Sequence, residues 1–354
     1  MSKKVSSFIF ISFVLSAFVF VACKKKAGDN NPTPFDRSSL LVNIADNVIL
    51  PAISDFESKL NTLEADYIAF QGDRSSINME IVRSSWKAAY LSWQSVKIFD
   101  FGPIRNIGFK GATGTFPTDT VKIENNINSG SYNLATAANV DAIGLSAMDF
   151  LLYRNGALNY FVGNDAYTTY GLDVVQKIKN EFTSIVSAWS PYRAIFITGT
   201  GNETTSSFSL FVNEFSRDYE LAKNTKLGIP IGQQSLSIQQ PEYIEARFSG
   251  ISLEILLKSI EALEVVYKGG TGVGLDDYLS SSDKVTLSTS IINKFEEIKT
   301  KMNSFSGTLE EEMSTNISGL DELYVLIQEQ IIYIKTDMAS AFGTLITYQD
   351  NDGD

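Results

Sequence analysis

Apolar side chains recur along this chain at steps of three and four, and that period decides its structural class. Between 78 and 101 the recurring residues are Val82, Trp86, Ala89, Trp93 and Val96. Between 251 and 267 they are Leu256, Ile260, Leu263 and Tyr267. From 320 to 345 the series is Leu320, Leu323, Ile327, Ile331, Ile334, Met338, Phe342 and Leu345. Such spacing lays the apolar groups on one stripe of an α-helix. Further helices are predicted near 36–70, 134–154, 166–189, 206–225 and 284–304, and no convincing period-2 strand interrupts them. Breakers fall between the stripes. Gly102-Pro103 and Ser190-Pro191 read as helix stops, Gly269 to Gly272 closes a third helix, and 103–118 and 191–205 read as loops. The expected fold is all-α: two packed four-helix-bundle-like halves, 36–195 and 200–354, with one continuous bundle as the alternative.

The N-terminus carries a second, different pattern. Lys3 and Lys4 precede an apolar run from Phe8 to Val21, broken only by Ser12 and Ser16, and Ala22 precedes Cys23. A basic flank, a short apolar core and a small residue before a cut are the marks of a secretory signal. Phe20-Val21-Ala22-Cys23 resembles a lipobox, so residues 1–22 are expected to be a lipoprotein signal peptide and Cys23 the lipidated residue. An uncleaved N-terminal anchor is the alternative. Residues 23–35 then form a polar tether. Acylation would hold the chain to a membrane surface without spanning it. Lys24, in place of the Asp that signals inner-membrane retention, points to the outer membrane and a cell-envelope location.

Composition removes several chemistries. Cys23 is the only cysteine, so once it is acylated no disulfide, thiolate metal site or cysteine nucleophile remains. The chain has no histidine, which excludes a Ser-His-Asp triad, an HExxH motif and His-ligated zinc. Any cation must therefore be held by oxygen, which suits calcium, magnesium, manganese or ferric iron. Loss of Lys3 and Lys4 with the signal takes the net charge from −12 to −14. An acidic chain with no basic stripe is not expected to bind nucleic acid. The glycine run 269–274 follows a helix and lacks a Lys-Ser/Thr pair, so it reads as an inter-helix loop. Asp283 reads as a helix cap, and Asp350 to Asp354 as a solvated acidic tail open to weak cation binding. Trp86 and Trp93, seven apart on one face, read as core.

Several segments, in order, resemble the imelysin-like family. Trp86 to Gln94 running into Phe101-Gly102-Pro103 looks like its first block, and Phe116-Pro117-Thr118-Asp119 resembles its Trp-Pro-x-Asp block. Gly144 to Tyr153 aligns with its Gly-x-His-x-x-Glu helix. Glu245 to Gly250, Gly274 to Leu279 and Ile346 to Asp354 resemble later blocks. The resemblance implies two packed helical bundles and a periplasmic or surface lipoprotein, often associated with iron acquisition. It also brings a peptidase label, M75, tied to a metal site around the His-x-x-Glu pair.

This sequence departs from that pattern. Ser146 stands in place of the His, Asp149 in place of the Glu, and Gln94 where the family commonly has another Glu. Each change weakens a transition-metal site, which disfavours a metallopeptidase. Ser146, Asp149, Gln94, Asp119, Arg247 and Ser249 are expected to converge on a polar pocket between the bundles. Asp149 and Asp119 would accept from a ligand or cation, and Arg247 would pair with an anionic group. The bland alternative makes Asp149–Arg247 a structural ion pair and Ser146 a packing residue. The leading expectation is a binding protein for uptake of iron or another oxygen-ligated cation. The alternatives are a divergent metallopeptidase and a non-catalytic interaction protein.

Overall fold

The computed structural model describes residues 35–348. The expected signal peptide, the expected lipidation site Cys23, most of the expected tether and the acidic end at Asp350 to Asp354 lie outside them. Among the described residues every regular element is helical, and no strand occurs. The main helices are Leu50–Gly72, Ser76–Val96, Gly144–Tyr153, Asp165–Thr198, Ser207–Leu221, Ser252–Tyr267, Val285–Met302 and Ile317–Ile331.

The period-3.6 stripes become the core. On Ser76–Val96 the residues Val82, Trp86, Ala89, Trp93 and Val96 are buried. Ser75 starts this helix by accepting the Asn78 N–H, which satisfies one of the donors that a helix start leaves open. Its neighbours are Leu50–Gly72 on one side and Ser252–Tyr267 on another, so residues from 36–195 and from 200–354 join one contiguous apolar cluster. Arg37–Gly72 is long and apolar enough to cross a membrane by length and composition, but Leu40, Leu41, Ile53, Phe56 and Leu60 of that run are buried in the protein's core. Close approach is enforced at Gly171, where an added Cβ would lie 1.9 Å from the Tyr67 hydroxyl of Leu50–Gly72.

Five local expectations change. The helix Asp165–Thr198 continues through Pro191. The proline removes one backbone donor, but Trp189 and Phe196 hold the apolar stripe on the core, with Phe196 stacked on Phe101 at 5.4 Å. The segment expected as one helix over 134–154 is divided into a 3-10 turn, Ala137–Ala142, and the helix Gly144–Tyr153. Two short helices, Pro103–Asn106 and Phe109–Gly114, occupy the region read as a loop. Leu345 leaves the last stripe and is 66 % exposed, because Gly343 at φ +65° ends the helix before it. Asp283 is also not the cap: Val285–Met302 starts at Lys284 with no side-chain cap bond.

Candidate functional site

The site is built around Gly144–Tyr153, whose residues Gly144 to Leu152 are all buried. Trp86 ties its start to the core by donating Nε1–H to the Leu145 carbonyl at 2.9 Å. Gly144 has φ +83°, and a Cβ there would meet the Thr113 carbonyl oxygen at 2.5 Å. Only glycine lets the chain turn into this helix so close to the Phe109–Gly114 backbone.

Ser146 and Asp149, three residues apart, face the same side of the helix. Asp149 is 2 % exposed. The loop after the Pro241–Tyr243 turn wraps over it, and two consecutive amides converge on the carboxylate. Phe248 N–H donates to Oδ2 and Ser249 N–H to Oδ1, both at 3.0 Å. Ala246, at φ +50°, is the strained residue that turns this loop. Phe248 then packs edge-on against Phe150 at 5.2 Å. Burial pushes the Asp149 carboxyl up to about 6; the Ser249 hydroxyl and the two amides oppose the rise, and Glu245 adds to it.

Ser146 begins a buried polar chain. Its Oγ lies 3.1 Å from the Tyr90 hydroxyl, which donates to Glu245 Oε1 at 3.0 Å. Glu245 in turn is ion-paired with Lys226, and both side chains are almost wholly buried. Burial first, then the Glu245 charge, drives the Tyr90 phenol well above its usual range, so it stays a neutral donor.

A cavity of about 360 Å³ opens beside Ser146 and Asp149. Phe116, Tyr243 and Phe248 give it aromatic walls, and Glu242 and Arg247 also line it. Ser146, Asp149, Arg247 and the Ser249 backbone are thus brought together. Arg247 does not pair with Asp149; its guanidinium grips Glu310 at 3.0 and 2.7 Å.

Two expected members stand elsewhere. Gln94 is fully buried one turn along from Tyr90, donating to the Tyr90 carbonyl at 3.0 Å and accepting from Ser259 at 2.9 Å. Asp119 caps the helix Thr120–Ser129, accepting the Lys122 N–H at 2.9 Å. Its neighbours Thr118 and Thr120 line the cavity. The Asp149–Asp119 cation pair expected from the sequence is therefore corrected: Asp119 does not line the cavity, and its Oδ1 accepts the cap amide.

The donor set also fails as a resident metal site. Among the described residues no group of three or more Asp, Glu, His or Cys side chains converges. Each Asp149 oxygen already takes an amide, and the Glu245 oxygens serve Tyr90 and Lys226. Hard cations are held by carboxylates with water completing the shell, and here Asp149 is the one carboxylate of the expected cation pair on the cavity, with both its oxygens already accepting amides. Tyr90, Glu245 and Lys226 were not singled out from sequence. Tyr90 and Glu245 lie inside blocks that carry the resemblance, whereas Lys226 had no signal.

These features are those of an all-α protein with its polar site on a short central helix. The chain belongs to the imelysin family, peptidase M75, whose pattern matches residues 49–331. Its fold is similar to a solved imelysin-like protein from Psychrobacter arcticum 273-4, with TM-score 0.75 and 16 % identity over 89 % of this chain and 100 % of that one. A structure from Parabacteroides distasonis ATCC 8503, described as a "putative iron-regulated protein A precursor", gives TM-score 0.72 and 14 % identity over 89 % and 97 % of the two chains. A segment of 74 residues is 31 % identical to Iron-regulated protein A of Synechococcus elongatus and spans 21 % of each protein.

Proposed function

We propose that this imelysin-family protein is an exported, lipid-anchored binding protein of the cell envelope that serves uptake of iron or another cation presented by a small organic ligand. The observation that carries this reading is Asp149, a buried carboxylate fixed by two amides at 3.0 Å on the wall of a cavity of about 360 Å³. Such a group binds a hydrogen-bond donor or ammonium on the ligand, and Ser146 offers a hydroxyl beside it. Phe116, Tyr243 and Phe248 supply apolar contact, the usual composition of a small-molecule site. A chelated cation brings its own oxygen ligands, which answers the shortage of protein donors. Iron here is cargo. The relatives described as iron-regulated, and the lipobox-like segment ending at Cys23, support the physiological setting. The absence of histidine from the whole chain weighs against the metallopeptidase alternative.

The test is a titration of the full chain in detergent with ferric iron, calcium, magnesium and manganese salts, and separately with ferric citrate as a chelate probe. Saturable binding of the chelate, lost in Asp149→Ala, supports the reading. Tight binding of a bare cation at one per chain, or chelator-sensitive proteolysis by the purified protein, would overturn it.

A further inference from the structure

A second cavity, of about 220 Å³, shares Phe116 with the first and is also lined by Glu245. Three lysines line it, each from a different element. Lys97 follows the end of Ser76–Val96, Lys110 sits on Phe109–Gly114, and Lys226 sits in the π-helical segment Ala222–Gly228. A π-helical turn inside a helix is a recurrent feature of functional sites. The Lys97 and Lys226 side chains are 7 % and 5 % exposed, and Lys110 is 20 % exposed.

Two carboxylates, Asp218 and Glu245, line the cavity with these three ammoniums. Lys97 donates to Asp218 Oδ2 at 2.5 Å, Lys110 to Asp218 Oδ1 at 3.1 Å, and Lys226 to Glu245. Nearby Glu214 also feels the Lys110 charge, but it and Asp100 are matched by Arg105 and Arg217, so that outer group is neutral and the positive surplus stays with the lysines. An ammonium has three N–H donors. Among the described residues, each lysine spends one on a carboxylate, and the remaining donors border the cavity. A buried surplus of positive charge with unspent donors is costly unless an anion joins it. The strain is visible on Lys97: burial lowers its amine to about 8, Asp218 opposes this, and the Lys226 and Lys110 charges lower it further. Asp218 shows the counterpart. Burial would raise its carboxyl, but Lys97 and Lys110 outweigh that and hold it below the usual range.

We propose that the Lys97–Lys110–Lys226 cavity is an oxyanion site that takes a carboxylate or phosphate group. The anion accepts from all three ammoniums while Asp218 and Glu245 keep the lysines in place. The Phe116 ring, with Lys226 Nζ 5.6 Å from its centroid, lines this cavity as well as the Asp149 cavity. The inference does not depend on what the Asp149 cavity binds.

The experiment is calorimetric titration of the full chain in detergent, free of iron and chelates, with inorganic phosphate in one arm and succinate in the other. Saturable binding of at least one anion in the millimolar range or tighter is expected, and the arm that responds identifies the ligand class. Lys110→Gln should weaken it at least tenfold, and Lys110→Arg, which keeps the charge, should retain most of it. Lys110 is the most exposed of the three, so these variants keep the fold, as circular dichroism will verify. Lys226→Gln, where it folds, should weaken binding to a similar degree. No saturable binding of either anion, or equal binding by wild type and Lys110→Gln, would overturn the proposal. Because neither probe engages Asp149, failure here leaves the ligand reading above intact, and the reverse also holds.

Discussion

Tyr90 and Glu245, 155 residues apart in sequence, share a buried hydrogen bond of 3.0 Å. It joins a helix of the first sequence half to a loop of the second and links Ser146 to Lys226. Replacing Tyr90 by Phe removes the only donor to Glu245 Oε1 among the described residues and leaves a buried acceptor unpaired. The expected loss is about 1–3 kcal/mol of stability, read from urea unfolding midpoints at constant slope. Tyr90 should also be absent from the tyrosinate spectrum at alkaline pH values where exposed tyrosines have ionised, because its phenol is held well above the usual range.

Asp149 should leave a mark on the pH dependence of stability. Its carboxyl rises from 3.8 to about 6 on folding. Below the lower value both states are protonated, and the folded state carries no penalty. As pH rises toward 6 the unfolded chain ionises first, so stability falls, and above 6 the penalty is constant. Two units correspond to about 3 kcal/mol at most. Asp149→Asn removes this contribution. The stability of wild type minus that of the variant should therefore decline between about pH 4 and 6 and then level. A flat difference across that range would show that the group is not shifted in this direction.

Gly144→Ala tests the entry into the site helix. The residue sits at φ +83°, and the added carbon would fall 2.5 Å from the Thr113 carbonyl oxygen. Both the backbone strain and the clash oppose it, so a loss of about 2 kcal/mol or more is expected. Gly108→Ala, at φ +66° but with nothing within 4 Å, is the control for strain alone and should lose less.

Arg247 and Glu310 form a two-pronged pair, but their side chains are 38 % and 46 % exposed. Arg247→Met should change stability by no more than about 1 kcal/mol, and added salt should shrink even that. Its effect should appear in ligand binding, because Arg247 lines the Asp149 cavity. A stability loss far above this figure, read by thermal unfolding, would mark Arg247 as structural and not as a rim residue.

The sequence disclosed the helices because their stripes are long and regular. It pointed to Ser146 and Asp149 through the resemblance to the Gly-x-His-x-x-Glu helix, and their three-residue spacing then put them on one face. It misplaced Gln94 and Asp119 because a family block specifies which segment comes near the site but not which way each side chain turns. Asp119 turns to cap its own helix, and Gln94 turns toward Ser259. The amides of Phe248 and Ser249 carry no side-chain signature, so the cradle of Asp149 was invisible in a string of letters. The same holds for the lysine cavity. Lys97, Lys110 and Lys226 are distant in sequence and are joined only by tertiary packing. Pro191 misled in the opposite direction, since core aromatics on either side outweighed the preference of one residue.

Phe116 lines both cavities. An occupant on either side meets the same aromatic ring, and any rotation that makes room for one changes the wall offered to the other. Two occupancies sharing that wall would be thermodynamically linked, and the linkage would be reciprocal: whatever factor one guest imposed on the other's affinity, it would receive in return. Were both proposed sites filled, a single phenylalanine would be the wall through which each occupant felt the other.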